Sequence, residues 1–484
     1  MGQRGTIGML GKRLSRRELG GLAGLAFAAT ATAAHAASTA VSGAPSDAEI
    51  AAILKTRVET ERRTVGVVVG VIDAKGRRII AAGARGAGDT RPLDGDTEFE
   101  IGSVTKVFTS LLLADMVRRG EVALNDPAAK YLPPGANLPQ RGDRQITLID
   151  LATHTSGLPR MPGNFTPKDP ANPYADYDDA KLYAFLAKAP LNSDIGATYS
   201  YSNLGVGLLG QLLARRAGMP YAALVQKRIT GPLGLKDTAI ALTPAQKARL
   251  AAGHDGGLTP TPYWDLDSLA GAGALHSTAN DLLAFLAAEL GYVDTPLKAA
   301  MADQLVPRRP AGGNLKVALG WHVSPRPGAP GEPADEIVWH NGGTGGFRSF
   351  VGFDKARGVG VVVLMNASND IGGDDIGMYV LAGAPVSKVA PPRQTVAVAP
   401  EILDRYVGQY QLTPAMLVTV TRQDQRLMAQ LTGQRIFEIF AESPTDFFWK
   451  VVDAQAHFEL GTDGKATSLT LRQNGREMIA PRLP

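Results

Sequence analysis

Ser103 and Lys106 stand three residues apart in Ile101-Gly102-Ser103-Val104-Thr105-Lys106. The apolar positions Val104, Val107, Phe108, Leu111, Leu112 and Met116 recur at helical spacing up to Gly120, which predicts a helix with both side chains on one face. Such a pair suits a serine nucleophile, because a hydroxyl stays inert until an adjacent base takes its proton. A helix start also offers backbone N–H groups where negative charge can develop. Taken alone, the pair fits equally well a helix cap followed by a solvated lysine. Ser-x-x-Lys arises about once by chance in a chain of this size, and this is its one occurrence in 484 residues.

Two further blocks change that balance. Tyr201-Ser202-Asn203 opens an apolar helical run, and His340-Asn341-Gly342 lies where a β-run meets the turn Gly342-Gly343-Thr344-Gly345-Gly346. In isolation Tyr201 fits a core aromatic and His340 a structural histidine. In this order, the three blocks resemble the penicillin-binding and class C β-lactamase superfamily of serine hydrolases, whose signature is Ser-x-x-Lys, Tyr-x-Asn and Lys/His-x-Gly. The stretches His154-Thr155-Ser156-Gly157-Leu158-Pro159, Ala274–Leu282 and Trp339–Phe347 support the resemblance, which spans roughly residues 46–380.

The resemblance implies an exported hydrolase that cleaves an amide, peptide, β-lactam or ester through an acyl-enzyme. Ser103 would attack the carbonyl, Lys106 would assist its deprotonation or that of Tyr201, and Tyr201 would relay the proton to the leaving group. Asn203 would bond Lys106 or the substrate amide, with His340 and Gly342 lining the substrate, and the backbone N–H groups of Ser103 and Gly343 would form the oxyanion hole. One departure matters. Many relatives carry lysine where His340 stands, and an imidazole is mostly neutral near pH 7, so a fixed positive charge for a substrate carboxylate is missing there. That favours D-amino-acid peptidase or esterase chemistry over efficient penicillin hydrolysis. A carboxylesterase on the same machinery, or a non-catalytic penicillin-sensor-like protein, are the alternatives; the presence of Ser103, Lys106 and Tyr201 speaks against the second.

The elements that must position these residues are partly legible. Residues 46–59 read as a short helix capped by Ser46, followed by strands Thr64–Asp73 and Arg77–Gly83. A helical middle covers Thr147–His154, Ala180–Ala187, Leu204–Arg216, Tyr221–Ile229 and Thr278–Leu290, and strands return at Glu336–His340, Phe347–Phe353 and Gly358–Met365. Two strands, then helices, then three strands suggest one antiparallel sheet made from both ends of an α+β domain. The family's fold is the same in kind: a five-stranded antiparallel sheet flanked by helices, plus a helical lobe. Ala384–Pro400 carries four prolines and no period, as a linker would. Short β-runs after it predict a small all-β barrel over 401–484. Around Leu403–Tyr410 this module resembles the lipocalin-like β-domain appended to some relatives. It is read either as a cover over the cleft or a dimerisation element, or as a passive stabilising appendage. The expected organisation is therefore a signal over 1–36, a hydrolase domain over 37–383, a linker over 384–400 and a barrel over 401–484.

Composition narrows the partners. The formal charge of +4 comes from the first 36 residues, which hold five of the 50 basic residues and one of the 46 acidic ones; the remainder is balanced. Net charge thus gives no argument for nucleic acid or a membrane surface. A basic stretch ending in Arg16-Arg17-Glu18-Leu19, an uncharged run Gly20–Ala34 and Ala34-His35-Ala36 read as a cleavable export signal, twin-arginine or general secretory, to the periplasm or beyond. No other uncharged apolar run reaches the ~20 residues of a membrane span. Cysteine is absent, which excludes disulfides and thiol catalysis. The seven histidines form no close ligand pair, so neither metal nor cofactor is expected. The partner is a small molecule or short peptide.

Overall fold

The structure is a computed structural model that describes residues 44–306, 309–326, 335–369, 371–387, 393, 395–413, 416–432, 436–450, 454–473 and 476–484. The signal read over 1–36 lies outside the described residues.

Ser46 caps α1 (Asp47–Lys55) in a capping box with Glu49, at the helix start expected for it. Then come β1 (Gly66–Asp73) and β2 (Gly76–Gly83), and helices α2 (Thr105–Arg118), α3 (Asn203–Ala217), the short α4 (Ala270–Gly273) and α5 (Ala279–Glu289). The chain returns to the sheet with β3 (His322–Arg326), β4 (Asp335–Gly343), β5 (Arg348–Asp354) and β6 (Val359–Met365), and α6 (Asp374–Ala382) closes this region. The sheet is antiparallel, with order β2-β1-β6-β5-β4-β3, continued by two two-residue strands, Lys316–Val317 and Arg309–Pro310. The five expected strands are present. β3 adds a neighbour to β4 that the pattern did not announce, because His-Val-Ser-Pro-Arg has no apolar alternation and its Pro325 is tolerated only near an edge.

Successive residues of one strand serve opposite layers. Val68, Val351, Phe353, Val362 and Leu364 pack with Leu282, Leu283 and Leu286 of α5. Val67, Val69, Phe350, Val361 and Val363 pack with Ile50 and Leu54 of α1 and Ile376 and Val380 of α6. Both faces are covered, which is why β6 reads as an unbroken apolar run. Each such burial contributes about 1.5–3 kcal/mol.

The Ser103 helix behaves differently from a surface helix. A 3-10 turn over Gly102–Val104 leads into α2, and every residue from Thr105 to Met116 is buried. Its apolar stripe is not one wet face against one dry face; the helix runs through the core and takes Lys106 in with it.

Beyond residue 395, eight strands form a second sheet: β7 (Gly408–Thr413), β8 (Met416–Gln423), β9 (Arg426–Leu431), β10 (Phe437–Ala441), β11 (Asp446–Phe448), β12 (Ala454–Leu460), β13 (Ala466–Gln473) and β14 (Arg476–Pro481). They pair in sequence order, and the Tyr410–Arg482 bridge with the Leu483 N–H to Gln409 carbonyl bond (2.8 Å) brings the last strand back to the first. The result is a nearly closed barrel around Tyr406, Tyr410, Phe447, Phe458 and Leu469.

Candidate active site

The turn that presents Ser103 lies against the end of β4, and glycine makes that possible. Gly102 has φ +48°, and a Cβ there would sit 2.7 Å from Gly343 N; a Cβ on Gly342 would sit 2.1 Å from the Ile101 carbonyl oxygen. Gly342 therefore permits the approach from behind, whereas Gly343 lines the cleft beside Ser103. β4 pairs with β3 only through Trp339, so His340–Gly343 have no strand on that side among the described residues.

Lys106 is fully buried, and its Nζ lies 2.8 Å from Ser103 Oγ while donating to the Ala272 carbonyl at 2.6 Å. That carbonyl can come so close because α4 is nearly free of side chains: Gly271 and Gly210 of α3 meet backbone to backbone. Burial, and secondarily the positive charge of Arg160, hold the lysine well below its usual range. The Tyr201 hydroxyl faces Ser103, and its ring lies 5.0 Å from Lys106 Nζ. Burial pushes its pKa above the ordinary phenol value, so it stays protonated.

Three histidines support this trio without touching Ser103. His154 adopts the left-handed conformation, φ +57°, which a side chain larger than glycine seldom takes. Its ring stacks on Tyr201 (4.4 Å, 28°), and its Nδ1 accepts the Ser202 N–H at 3.1 Å. His340 stacks on His322 (4.9 Å, 18°) and lies 6.2 Å from the Tyr201 ring. The Asn341 carbonyl accepts from His340 Nδ1 at 2.6 Å, which makes Nε2 the unprotonated nitrogen; that atom is buried and without a partner among the described residues. His322 Nε2 faces the Tyr199 hydroxyl at 3.1 Å. Burial, then the Lys106 charge, lowers His322 to about 4, and burial holds His154 and His340 well below the ordinary imidazole range.

Asn203 opens α3 and lines the cleft with Ser103, Tyr174, Trp264, Leu266 and Gly343. Its Nδ2 donates to Met161 Sδ at 3.6 Å and its Oδ1 is buried without a partner, so the expected bond to Lys106 is not made. Glu100, just before the Ser103 turn, accepts from Trp264 N–H (2.7 Å) and from the Thr344 hydroxyl (2.6 Å), tying both walls to the nucleophile strand. Burial raises its pKa to about 7.

The structure thus brings Ser103, Lys106, Tyr201, Asn203 and Gly343 to one cleft, with His340 and Gly342 behind its strand wall. Sequence reasoning missed the Ala272 carbonyl, Glu100, His322 and Arg160. It noted His154 only as part of a motif; the sole local hint of its role was a turn-forming Ser-Gly after it.

A family model described as Beta-lactamase matches residues 48–382, and one described as a domain of unknown function (DUF3471) matches 392–480. The D-alanyl-D-alanine-carboxypeptidase/endopeptidase AmpH of Escherichia coli (strain K12) is 31% identical over 321 residues, 63% of this chain and 80% of that protein. Penicillin-binding protein 4* of Bacillus subtilis (strain 168) is 27% identical over 424 residues, 81% of this chain and 89% of that protein. Among solved structures, a class C beta lactamase from Rhodobacter sphaeroides superposes with a TM-score of 0.57 at 29% identity, covering 66% of this chain and 94% of its own.

Proposed function

Because the chain belongs to the β-lactamase family, within the class C and penicillin-binding-protein-like serine hydrolases, we propose that it cleaves an amide, peptide or ester of a small substrate, D-alanine-type peptides foremost, through an acyl-enzyme on Ser103. The observation that carries this reading is the buried Lys106 amine 2.8 Å from Ser103 Oγ.

The differing environments of the two titratable neighbours divide the labour. Lys106, whose ammonium form is disfavoured by burial, takes the Ser103 proton as Oγ attacks the substrate carbonyl. The oxyanion forms against the Ser103 and Gly343 N–H groups, each worth about 3 kcal/mol in such sites. As the carbon–nitrogen or carbon–oxygen bond breaks, Tyr201 gives its proton to the leaving group and recovers one from the Lys106 ammonium. Water then attacks the acyl-Ser103 ester by the reverse relay, releasing the acid and restoring the serine. Asn203 Oδ1, buried and unpartnered, is placed to accept a substrate N–H. The neutral His340 favours peptidase or esterase turnover over rapid β-lactam release, since it offers no positive charge to a β-lactam carboxylate.

Intact-mass analysis after parallel incubation with a penicillin, a short acyl ester and a D-amino-acid amide tests this. The expected result is a covalent adduct on Ser103 with the ester and the amide turned over; absence of any adduct in a folded protein removes the reading.

Two further readings accompany it. Residues 1–36 act as an export signal, so Arg16→Lys with Arg17→Lys leaves precursor inside the cell if the twin-arginine route is used. Residues 37–383 and 401–484 are separate domains joined by 384–400, where limited proteolysis cuts first.

A further inference from the structure

Arg160 is exposed, and no carboxylate pairs with its guanidinium among the described residues. Its Cζ instead stands 5.0 Å from the centroid of the Tyr201 ring. This position is built into the backbone. The Arg160 carbonyl accepts the N–H groups of Asn203 and Leu204 at 3.0 and 3.2 Å, and Ser202 Oγ donates to the Pro159 carbonyl at 2.7 Å. Pro159-Arg160 is thereby stitched to the segment that supplies Tyr201 and the cleft-lining Asn203, and the guanidinium is held beside the Tyr201 ring. Its field is felt by Lys106, His154, Tyr174, Tyr199 and Tyr201.

On the opposite wall the Arg348 guanidinium, beside Gly343, is committed to the Asn369, Thr344 and Phe347 carbonyls. His340 is buried and neutral, its Nδ1 committed to Asn341 and its Nε2 an acceptor. An acidic group on a substrate therefore meets, on the Tyr201–Asn203 side, a guanidinium with no carboxylate partner among the described residues, while on the strand side His340 is neutral and Arg348 is committed to backbone carbonyls. Resting on the acyl-Ser103 reading, we propose that Arg160 recognises a carboxylate of the substrate, as a specificity-determining residue that supplies the cation His340 does not. The substrates it selects are acidic amides, peptides or esters, with the carboxylate on either the acyl or the leaving portion. A guanidinium is suited to this because its fork of donors matches the two carboxylate oxygens.

A purely electrostatic effect on Lys106 would change all substrates alike, so the decisive quantity is a ratio. In Ser103→Ala protein, calorimetry measures binding of N-acetyl-D-alanyl-D-alanine and of N-succinyl-D-alaninamide, each against its methyl ester. The expected result is that at least one acid binds about tenfold more tightly than its ester. Adding Arg160→Ala or Arg160→Gln abolishes that preference, Arg160→Lys keeps part of it, and added salt weakens it. No detectable binding of either acid, no preference over the ester, or a preference that survives loss of Arg160 overturns the proposal. Turnover is not involved in this measurement, and acylation of the wild-type protein judges the enzymatic reading separately.

Discussion

The sheet-and-helix region and the barrel handle polarity in opposite ways. Among the described residues, buried polar and charged ones run from Arg57 to Asn369, whereas those buried between 403 and 480 are all hydrophobic. In the first region Glu98, Asn203 Oδ1, Glu289 Oε1 and His340 Nε2 are buried without hydrogen-bond partners; the barrel has no such side-chain atom among the described residues. Its two deep tyrosines are satisfied, Tyr406 donating to the Pro444 carbonyl (2.6 Å) and Tyr410 to the Tyr406 carbonyl (2.7 Å). An unpartnered buried polar group costs about 1–3 kcal/mol, so a fold retains such groups where chemistry or binding uses them. A molecule can thus keep its reactive polarity in one core and a conventional apolar core in the other.

If that contrast holds, the largest effect is on catalysis without stability. Ser103→Ala lowers turnover by about 10⁴-fold or more and abolishes labelling by a fluorophosphonate, while the thermal transition barely moves; stoichiometric labelling of that variant would break the assignment. The converse case lies in the barrel. Phe458, stacked on Tyr406 at 4.5 Å and edge-on to Phe447 at 5.5 Å, is a core residue, and Phe458→Ala costs about 3–5 kcal/mol in denaturant unfolding. The rate of Ser103 acylation in the folded fraction stays unchanged; a changed rate would tie the barrel to the cleft.

A smaller effect concerns Glu289, whose pKa burial raises to about 8. Its folded value exceeds its unfolded one, so the native state binds the extra proton and loses stability as pH rises from about 4.5 to 8. Glu289→Gln removes that loss, stabilising the protein by on the order of 2–4 kcal/mol at pH 9 and little at pH 5, as read from melts across pH. The smallest effect is on the acid limb of acylation. Burial first and Arg160 second hold Lys106 below its ordinary value, so the limb lies below the usual lysine range, and Arg160→Ala moves it to higher pH. A limb that does not move would remove Arg160's influence on the base.

Much of this organisation is legible in the chain because it is local. Helical spacing places Ser103 and Lys106 together, and the apolar run of β6 marks a strand covered on both faces. Other features carry no local mark. β3 has neither alternation nor an apolar run, and it is held as a strand by its pairing with β4. Arg160 follows a recognisable Leu-Pro, yet nothing adjacent in the chain reports that its guanidinium ends on the Tyr201 ring.

By itself, then, the sequence determined which groups are available and in which elements they lie, since spacing, capping and periodicity act over a few residues. Tertiary structure alone decided their state. Lys106 is pushed away from its charged form, unlike a solvated ammonium, because segments distant in sequence, α4 among them, bury it completely. His340 is a neutral acceptor and not a carboxylate-binding cation because its ring is buried against His322 and its Nδ1 proton is held by Asn341. Protonation follows desolvation and neighbouring charge, and both are set by chain segments that meet only in the folded molecule.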